Sequence, residues 1–252
     1  MAFMQQIKEA AADLFFPRRC PLCGALIQHN ERICSRCAKD MEFIRRPVCG
    51  KCGRPSGTCS CGRERFAFTR NVSPLVYTRA AKRGIHRMKF RNVPSACRYF
   101  GLLMANVVRL EYLDADLRFD CVIGVPMYPE EQRERGYNQA NLLAETVASE
   151  LELPYSARVL VKYRRNHRQH TLSLTERRKN IKDVFRVARP EAVEGKTVLL
   201  CDDVTTSGST LNECALILLN AGAKAVYCVT ATVAVLSEMP PIKAAAFDRE
   251  RY

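Results

Sequence analysis

Apolar and polar positions alternate in a way that predicts strands and helices in turn along most of the chain. Short apolar runs that are typical of buried strands occur at 75–77, 119–125, 158–161, 197–201 and 225–233. Segments with apolar residues every three or four positions predict helices at 80–90, 94–112, 138–151 and 209–220. This order indicates βαβ units, and therefore an α/β domain with a parallel sheet covered by helices on both faces.

Composition adds that the protein is globular. The chain has 252 residues, of which 47% are hydrophobic and 26% charged, enough for one ordinary domain and a small extra module. Its apolar runs are too short to span a bilayer, so we expect no membrane span. The first residues carry Lys8, Glu9 and Asp13, unlike a secretory signal. We therefore expect a cytoplasmic protein with reduced thiols.

The formal net charge of +14 is concentrated in two regions. Residues 1–91 hold 19 Lys and Arg against 6 Asp and Glu, and residues 162–182 hold 8 against 1. The remaining C-terminal segments are acidic on balance. Two basic regions on an acidic background favour anionic partners or substrates.

Eight of the 13 cysteines form three CxxC pairs and one CxC pair within a short segment. They are Cys20, Cys23, Cys34, Cys37, Cys49, Cys52, Cys59 and Cys61. Two such pairs supply four thiolates for a closed, structural zinc site, so we predict two zinc ions in a double zinc ribbon at 17–65. Sequential and interleaved pairing both fit the spacing, and buried or redox cysteines are the alternative to zinc. The other five cysteines lie in apolar segments, where core packing explains them.

A zinc ribbon can also present basic residues to nucleic acid, although a solubilising surface is the alternative. The available residues are Arg32, Arg36, Lys39, Arg45, Arg46, Lys51, Arg54, Arg63 and Arg65. We divide the chain into an N-terminal helix at 1–16, this ribbon at 17–65 and the α/β domain at 66–252.

The motif richest in chemistry is VLLCDDVTTSGST at 198–210. An apolar strand leads into Asp202 and Asp203, and then into a loop of small residues that opens a helix. Gly208 allows close approach of an anion, and the amides and hydroxyls around it predict a phosphate-binding loop. The loop residues are Thr206, Ser207, Gly208, Ser209 and Thr210. The two acids could accept hydrogen bonds from a sugar diol or hold Mg²⁺ indirectly, whereas simple helix capping is the alternative.

These residues resemble the signature of type I phosphoribosyltransferases. The resemblance implies that Asp202 and Asp203 face the ribose hydroxyls of phosphoribosyl pyrophosphate, with Mg²⁺, and that the 206–210 loop holds its 5′-phosphate. Three further segments, at 88–90, 125–145 and 162–185, resemble the ComF family, whose members join a cysteine-rich zinc ribbon to a phosphoribosyltransferase-like domain. In the last segment the resemblance rests on Gln169, Leu172, Arg177, Asn180 and Phe185. That family is associated with DNA uptake in bacterial competence.

Phosphoribosyl transfer needs donors that stabilise pyrophosphate and a loop that excludes water. We assign Arg133 and Arg135 to this catalytic role and the basic stretch 162–168 to a covering flap, and the predicted catalytic set also includes Asp202 and Asp203. The alternative is a solvated surface, since these arginines alternate with acids. No base-recognition pocket can be identified from the sequence. Stacking on bases is open to four aromatic residues, although core packing explains most of them: Tyr77, Phe90, Tyr137 and Tyr163.

Two functions therefore remain open at this point. One is a ComF-like protein of DNA uptake or processing that binds phosphoribosyl pyrophosphate or a nucleotide, with single-stranded DNA and the DNA-uptake machinery as partners. The other is an active phosphoribosyltransferase of nucleobase salvage or nucleotide metabolism. A nucleotide-sensing regulator is a further alternative, without a helix-turn-helix signal.

Overall fold

The computed structural model describes residues 17–59, 61–62, 66–164 and 184–235. Its α-helices are α1 (Ser35–Asp40), α2 (Arg79–Phe90), α3 (Pro94–Glu111), α4 (Pro129–Arg135), α5 (Gln139–Glu150) and α6 (Ser209–Asn220). Its strands are β1 (Asn71–Val72), β2 (Leu75–Val76), β3 (Cys121–Gly124), β4 (Leu160–Lys162), β5 (Phe185–Val187), β6 (Thr197–Thr205) and β7 (Ala225–Val233). The N-terminal helix predicted at 1–16 lies outside the described residues.

A parallel sheet forms the centre of the α/β domain, as predicted. Its order is β1-β7-β6-β3, and β2 continues along the same edge of β7 as β1. Every pairing in this sheet is parallel. The carboxyl ends of β3, β6 and β7 therefore meet at one edge, where ligands of such sheets bind.

Two of the predicted strands differ in length or pairing from the observed ones, and the sequence pattern does not predict β1 or β5. β6 runs to Thr205 rather than ending at residue 201, because β7 stays beside it as far as the pair Thr205–Val233. The strand predicted at 158–161 is observed as β4, but it pairs antiparallel with β5 and stays outside the parallel sheet. Apolar character reports burial and not the pairing partner, so the sequence did not distinguish these arrangements.

The sheet is covered on both faces. Leu199 on β6 packs with α3 and α5, whereas its neighbours Val198 and Leu200 pack with α6. This follows from the alternation of side chains along a strand. The isolated cysteines Cys97, Cys121, Cys201, Cys214 and Cys228 are all buried in these layers, which confirms their packing role. Among the described residues, no helix is both long and apolar enough to cross a membrane.

The cysteine-rich module packs against α2 instead of standing apart. Leu22 is fully buried and shares a core with Ile85 and Phe100. Arg87 donates a hydrogen bond to the carbonyl oxygen of Pro21 over 3.3 Å, and Arg83 pairs with Asp40 at 2.7 Å. One face of α2 thus joins the ribbon to the sheet domain, and the ribbon also contacts β2 directly, where the N–H of Val76 donates to the carbonyl oxygen of Glu42.

Gly84 makes this junction possible, and we predict that Gly84→Ala destabilises the protein. A Cβ at this position would lie 2.5 Å from Leu22 Cδ2 and 2.8 Å from Phe100 Cζ. Overpacking of this kind costs about 1–3 kcal/mol, against the gain of about 1 kcal/mol that Gly→Ala gives in an open helix. Urea unfolding followed by circular dichroism measures the sign. Ser149→Ala on the exposed face of α5 is the control and should be neutral or slightly stabilising, and a stabilised Gly84→Ala would contradict the packing argument.

Candidate functional site

The eight cysteines of the ribbon form two separate clusters. One contains Cys20, Cys23, Cys34 and Cys37, and the other contains Cys49, Cys52, Cys59 and Cys61. In each cluster the sulfur atoms all lie within 4.8 Å of one another. The structure therefore groups the pairs sequentially, and the interleaved alternative is not observed.

The sulfur geometry fits zinc. Tetrahedral coordination with Zn–S bonds of ~2.3 Å has sulfur–sulfur edges of about 3.8 Å. The observed separations include 3.6 Å for Cys23–Cys34 and 3.7 Å for Cys49–Cys61. The backbone N–H of Cys37 also donates to the Cys34 sulfur, as expected where amides turn toward thiolates. Four thiolates leave no open coordination position, so zinc here would have a structural role.

The two acids of the 198–210 motif lie within β6 and not after it. Consecutive residues of a strand point to opposite faces, so Asp202 and Asp203 face different layers. Asp203 is 3% exposed, and both of its carboxylate oxygens are engaged. Lys89 Nζ lies 2.8 Å from Oδ1, and Gln139 Nε2 donates to Oδ2 over 2.9 Å.

Gln139 extends this contact into a chain of side chains. Its Oε1 accepts a hydrogen bond from Arg135 over 2.7 Å, while its Nε2 donates to Asp203. Arg135 is thus linked to Asp203 through Gln139. Arg133 does not join the chain, because it pairs with Glu130 at 2.7 Å and its side chain is 72% exposed. The structure thus connects only one of the two predicted catalytic arginines to the acids.

Lys89 and Gln139 carry no role in the sequence interpretation. Lys89 lies near the end of α2 and Gln139 begins α5, so both are far from the motif in sequence. The only available signal was their position inside segments that resemble the ComF family. A lysine in a basic helix is otherwise indistinguishable from a solvated one.

Burial and neighbouring charges shift the pKa of Asp202. Burial raises the pKa of Asp202 to about 7, and the negative charge of Asp203 adds to the rise. Lys89 opposes this shift. Burial would lower the pKa of Lys89, but the charge and hydrogen bond of Asp203, followed by the charge of Asp202, outweigh that effect and raise it. Lys89 is therefore protonated and positively charged at neutral pH, whereas the raised pKa of Asp202 lies near neutral pH.

The loop after β6 has the form of an anion cradle. Gly208 adopts the left-handed conformation with φ +79° and forms the N-cap of α6. The hydroxyls of Ser207 and Ser209 lie 2.7 Å apart, and the Ser209 N–H donates to Ser207 Oγ. First-turn amides of a 12-residue helix and adjacent hydroxyls form an anion-binding arrangement. Thr206 and Thr210 complete the predicted set at this helix end.

Phe66 approaches this loop from the other side. A Cβ on Gly208 would lie 3.2 Å from the Phe66 ring. The N–H of Ala67 donates to Asn212 Oδ1 on α6 over 2.6 Å, which fixes the segment against the helix. Another residue at position 208 would be strained by the positive φ and would crowd the Phe66 ring, so glycine is favoured there.

A cavity of about 530 Å³ lies beside β3 rather than at the acids. Its lining includes Ile123, Pro126, Gln132, Arg133, Arg158 and Lys162. No residue of the 202–210 segment lines it. Arg133 thus faces a different space from the one the two aspartates define.

The residues predicted to contact nucleic acid differ in their exposure. Arg54 is only 4% exposed and donates to the carbonyl oxygen of Ala234, so its prediction as a surface contact is wrong. Among the aromatic candidates Phe90 and Tyr163 are exposed, whereas Tyr77 and Tyr137 pack against the core. Arg63, Arg65 and residues 165–183 of the second basic region lie outside the described residues, including Gln169, Leu172, Arg177 and Asn180.

Comparison with known proteins agrees with this two-part organisation. A family model described as a double zinc ribbon domain matches residues 11–66, and a phosphoribosyl transferase domain model matches residues 138–246. The chain is 31% identical to the DNA utilization protein YhgH of Salmonella typhi over 87% of this chain and 100% of that protein. It is 32% identical to competence protein F of Haemophilus influenzae, covering 82% and 93%. Identity to competence protein ComFC of Bacillus subtilis is 28%, covering 78% and 82%.

The cluster geometry predicts the zinc content of paired cysteine variants. We expect two zinc ions per chain by elemental analysis of the purified protein. Cys20→Ser plus Cys34→Ser should retain one zinc because both residues belong to one cluster, whereas Cys20→Ser plus Cys49→Ser should lose both. Interleaved sites would give the reverse result. Cys97→Ser is the control and should retain two.

The raised pKa of Asp202 predicts how stability depends on pH. Its folded pKa of about 7 lies above the ordinary value of 3.8, so the folded state binds more protons between these values. Wild-type stability relative to Asp202→Asn should therefore fall as pH rises toward 7, by at most about 1.4 kcal/mol per pH unit, and then level off. Denaturant unfolding between pH 5.5 and 8.5 measures this difference. The exposed control Asp114→Asn should show no such trend. If the stability difference between wild type and Asp202→Asn does not change with pH, the pKa of Asp202 is not raised.

Proposed function

Because the chain belongs to the ComF family of competence and DNA utilization proteins, we propose that it acts in DNA uptake or processing and binds phosphoribosyl pyrophosphate. The observation that carries the ligand assignment is the β6–Gly208–α6 turn, which combines an anion cradle with two carboxyl groups on the preceding strand. The amides and hydroxyls at the start of α6 suit a phosphate, and the two carboxyl groups on β6 suit the hydroxyls of a sugar. We include cytoplasmic localisation and the domain boundaries 1–16, 17–65 and 66–252 in this proposal.

In this proposal the amides and hydroxyls of residues 206–210 hold the 5′-phosphate. The acids Asp202 and Asp203 accept hydrogen bonds from the ribose hydroxyls. Asp203 already accepts from Lys89 and Gln139, so sugar binding must share or displace those donors. Lys89 is also close enough to contribute positive charge to an anionic ligand at the acids.

Magnesium fits this arrangement as a companion of the ligand. Mg²⁺ in such sites usually takes one or two carboxylates, and the substrate phosphates and water complete its coordination. Because the two side chains face different layers, Asp202 and Asp203 would hold it indirectly, through water and the bound ligand. When bound, it would neutralise negative charge that develops on pyrophosphate.

Our proposal is limited to ligand binding, and phosphoribosyl transfer would be a further activity. Transfer of the phosphoribosyl group would also need an acceptor beside the anomeric carbon. The described cavity does not touch the acids, and Arg133 faces that cavity. An active phosphoribosyltransferase is the alternative function, and pyrophosphate release in the presence of nucleobases would reveal it.

Calorimetric titration of the zinc-loaded protein with phosphoribosyl pyrophosphate and Mg²⁺ tests the proposal. We expect saturable binding that Gly208→Val weakens at least about tenfold, because a side chain there is strained and lies against Phe66. Asp202→Asn plus Asp203→Asn should weaken it similarly. The exposed pair Asp114→Asn plus Asp116→Asn carries the same charge change and should bind like wild type.

Two results would overturn the assignment: no binding by the wild-type protein, or binding that the motif variants leave unchanged. Adding a panel of nucleobases and following pyrophosphate release separates binding from transfer. Release that requires one base would establish the enzyme alternative.

A further inference from the structure

Helix α2 exposes a stripe of cationic and aromatic side chains, which we call the α2 stripe. It consists of Arg79, Lys82, His86 and Phe90, all of them exposed. Their spacing of three or four residues places them on one side of the helix over roughly 16 Å. The sequence from Arg79 to Arg98 contains no aspartate or glutamate, and Arg91 and Arg98 are exposed beyond the helix end.

The other cations of α2 face protein partners. Arg83 pairs with Asp40, Arg87 donates to the carbonyl oxygen of Pro21, and Lys89 pairs with Asp203. In the described part of the chain, by contrast, no ion pair within 4 Å engages Arg79 or Lys82. The charge of the stripe is therefore available to a ligand in solution.

Phe90 gives the stripe a flat apolar end. Its side chain is 60% exposed, which is unusual for a large aromatic residue. The His86 ring lies 4.7 Å from the Phe90 ring, and the Arg135 guanidinium lies 5.6 Å from its centroid. The His86, Phe90 and Arg135 side chains therefore lie together at the C-terminal end of the α2 stripe.

We propose that the α2 stripe binds single-stranded DNA, with phosphates along Arg79 and Lys82 and a base stacked at Phe90. Cations track the backbone, and an exposed aromatic ring stacks with any base. The single strand is favoured over a duplex because stacking on protein needs an unstacked base. This inference rests on the proposed role in DNA handling and assigns that role to a surface.

The stripe and the phosphoribosyl site lie on different sides of α2, although Arg135 contacts Phe90 in the first and Gln139 in the second. Lys89 points to Asp203 inside the domain, whereas Lys82 and His86 face solvent. DNA on the stripe and a phosphoribosyl ligand on the 202–210 motif would therefore occupy different sides of one helix. We expect them to bind together without competing.

Fluorescence anisotropy with a labelled oligothymidylate measures this surface on the full-length, zinc-loaded protein. Arg79→Gln plus Lys82→Gln should weaken binding and reduce the slope of log K against log salt by about 1.4, the value for two phosphate contacts on a single strand. Phe90→Ala should weaken binding by roughly 5- to 100-fold with the salt slope unchanged, since it removes stacking and not charge.

Matched controls lie away from the stripe. Arg118→Gln plus Lys224→Gln makes the same charge change at the amino ends of β3 and β7, and Leu216→Ala removes an exposed apolar side chain from α6. Neither should change affinity by more than about twofold, in keeping with near-neutral surface substitutions. Thermal melts confirm that every variant is folded.

The proposal is overturned if the stripe variants bind like wild type, or if the controls weaken binding equally. It is also overturned if duplex DNA or heparin binds the stripe as tightly as the single strand, with no loss from Phe90→Ala. Phosphoribosyl pyrophosphate titration of the Arg79 and Lys82 variant should match wild type. Failure of DNA binding with intact titration would therefore refute the stripe alone and leave the proposed ligand standing.

Discussion

The ion pair between Lys89 and Asp203 is the contact on which the arrangement of the site depends. Asp203 is 3% exposed, and a carboxylate removed from water to that extent needs a partner. Removing one member of a buried pair typically costs about 3–5 kcal/mol, because the other charge is left uncompensated. The end of α2 is therefore held at the carboxyl end of β6, and Gln139 binds the remaining oxygen of Asp203 from the start of α5.

The same helix also holds the zinc-binding module. On its ribbon side Arg83 pairs with Asp40 and donates to the sulfur of Cys37 over 3.6 Å, and Gly84 makes room for Leu22. One rigid element of 12 residues thus contacts both the first cysteine cluster and the acid of the motif. The ribbon and the acid of the motif are thus linked through one helix, although no ribbon residue among those described contacts Asp203.

The sequence predicts most of the fold because its signals there are local. Helix periodicity, apolar strands and CxxC spacing depend on neighbouring residues, and the parallel sheet and the eight clustered cysteines follow from them. Contacts made at long sequence separation are different. Lys89 and Gln139 meet Asp203 only after the sheet is assembled, and the sequential grouping of cysteines is decided by how the chain folds back. The length of β6 likewise depends on β7, which supplies its pairing as far as Val233.

The structure shows that much of the positive charge counted in the sequence is not accessible to a ligand. The first 91 residues hold most of the excess positive charge, yet many of these cations serve the fold. Arg54 is buried against a carbonyl oxygen, Arg46 and Arg70 both pair with Glu111, and Arg83 and Lys89 neutralise aspartates. Eight zinc-bound thiolates would cancel more of the charge, since each four-sulfur site carries a net charge of about −2. A count of basic residues therefore overstates the charge that a polyanion meets. Accessible charge is better judged from exposed cations that form no ion pair within the described residues, such as Arg79 and Lys82 beside Phe90.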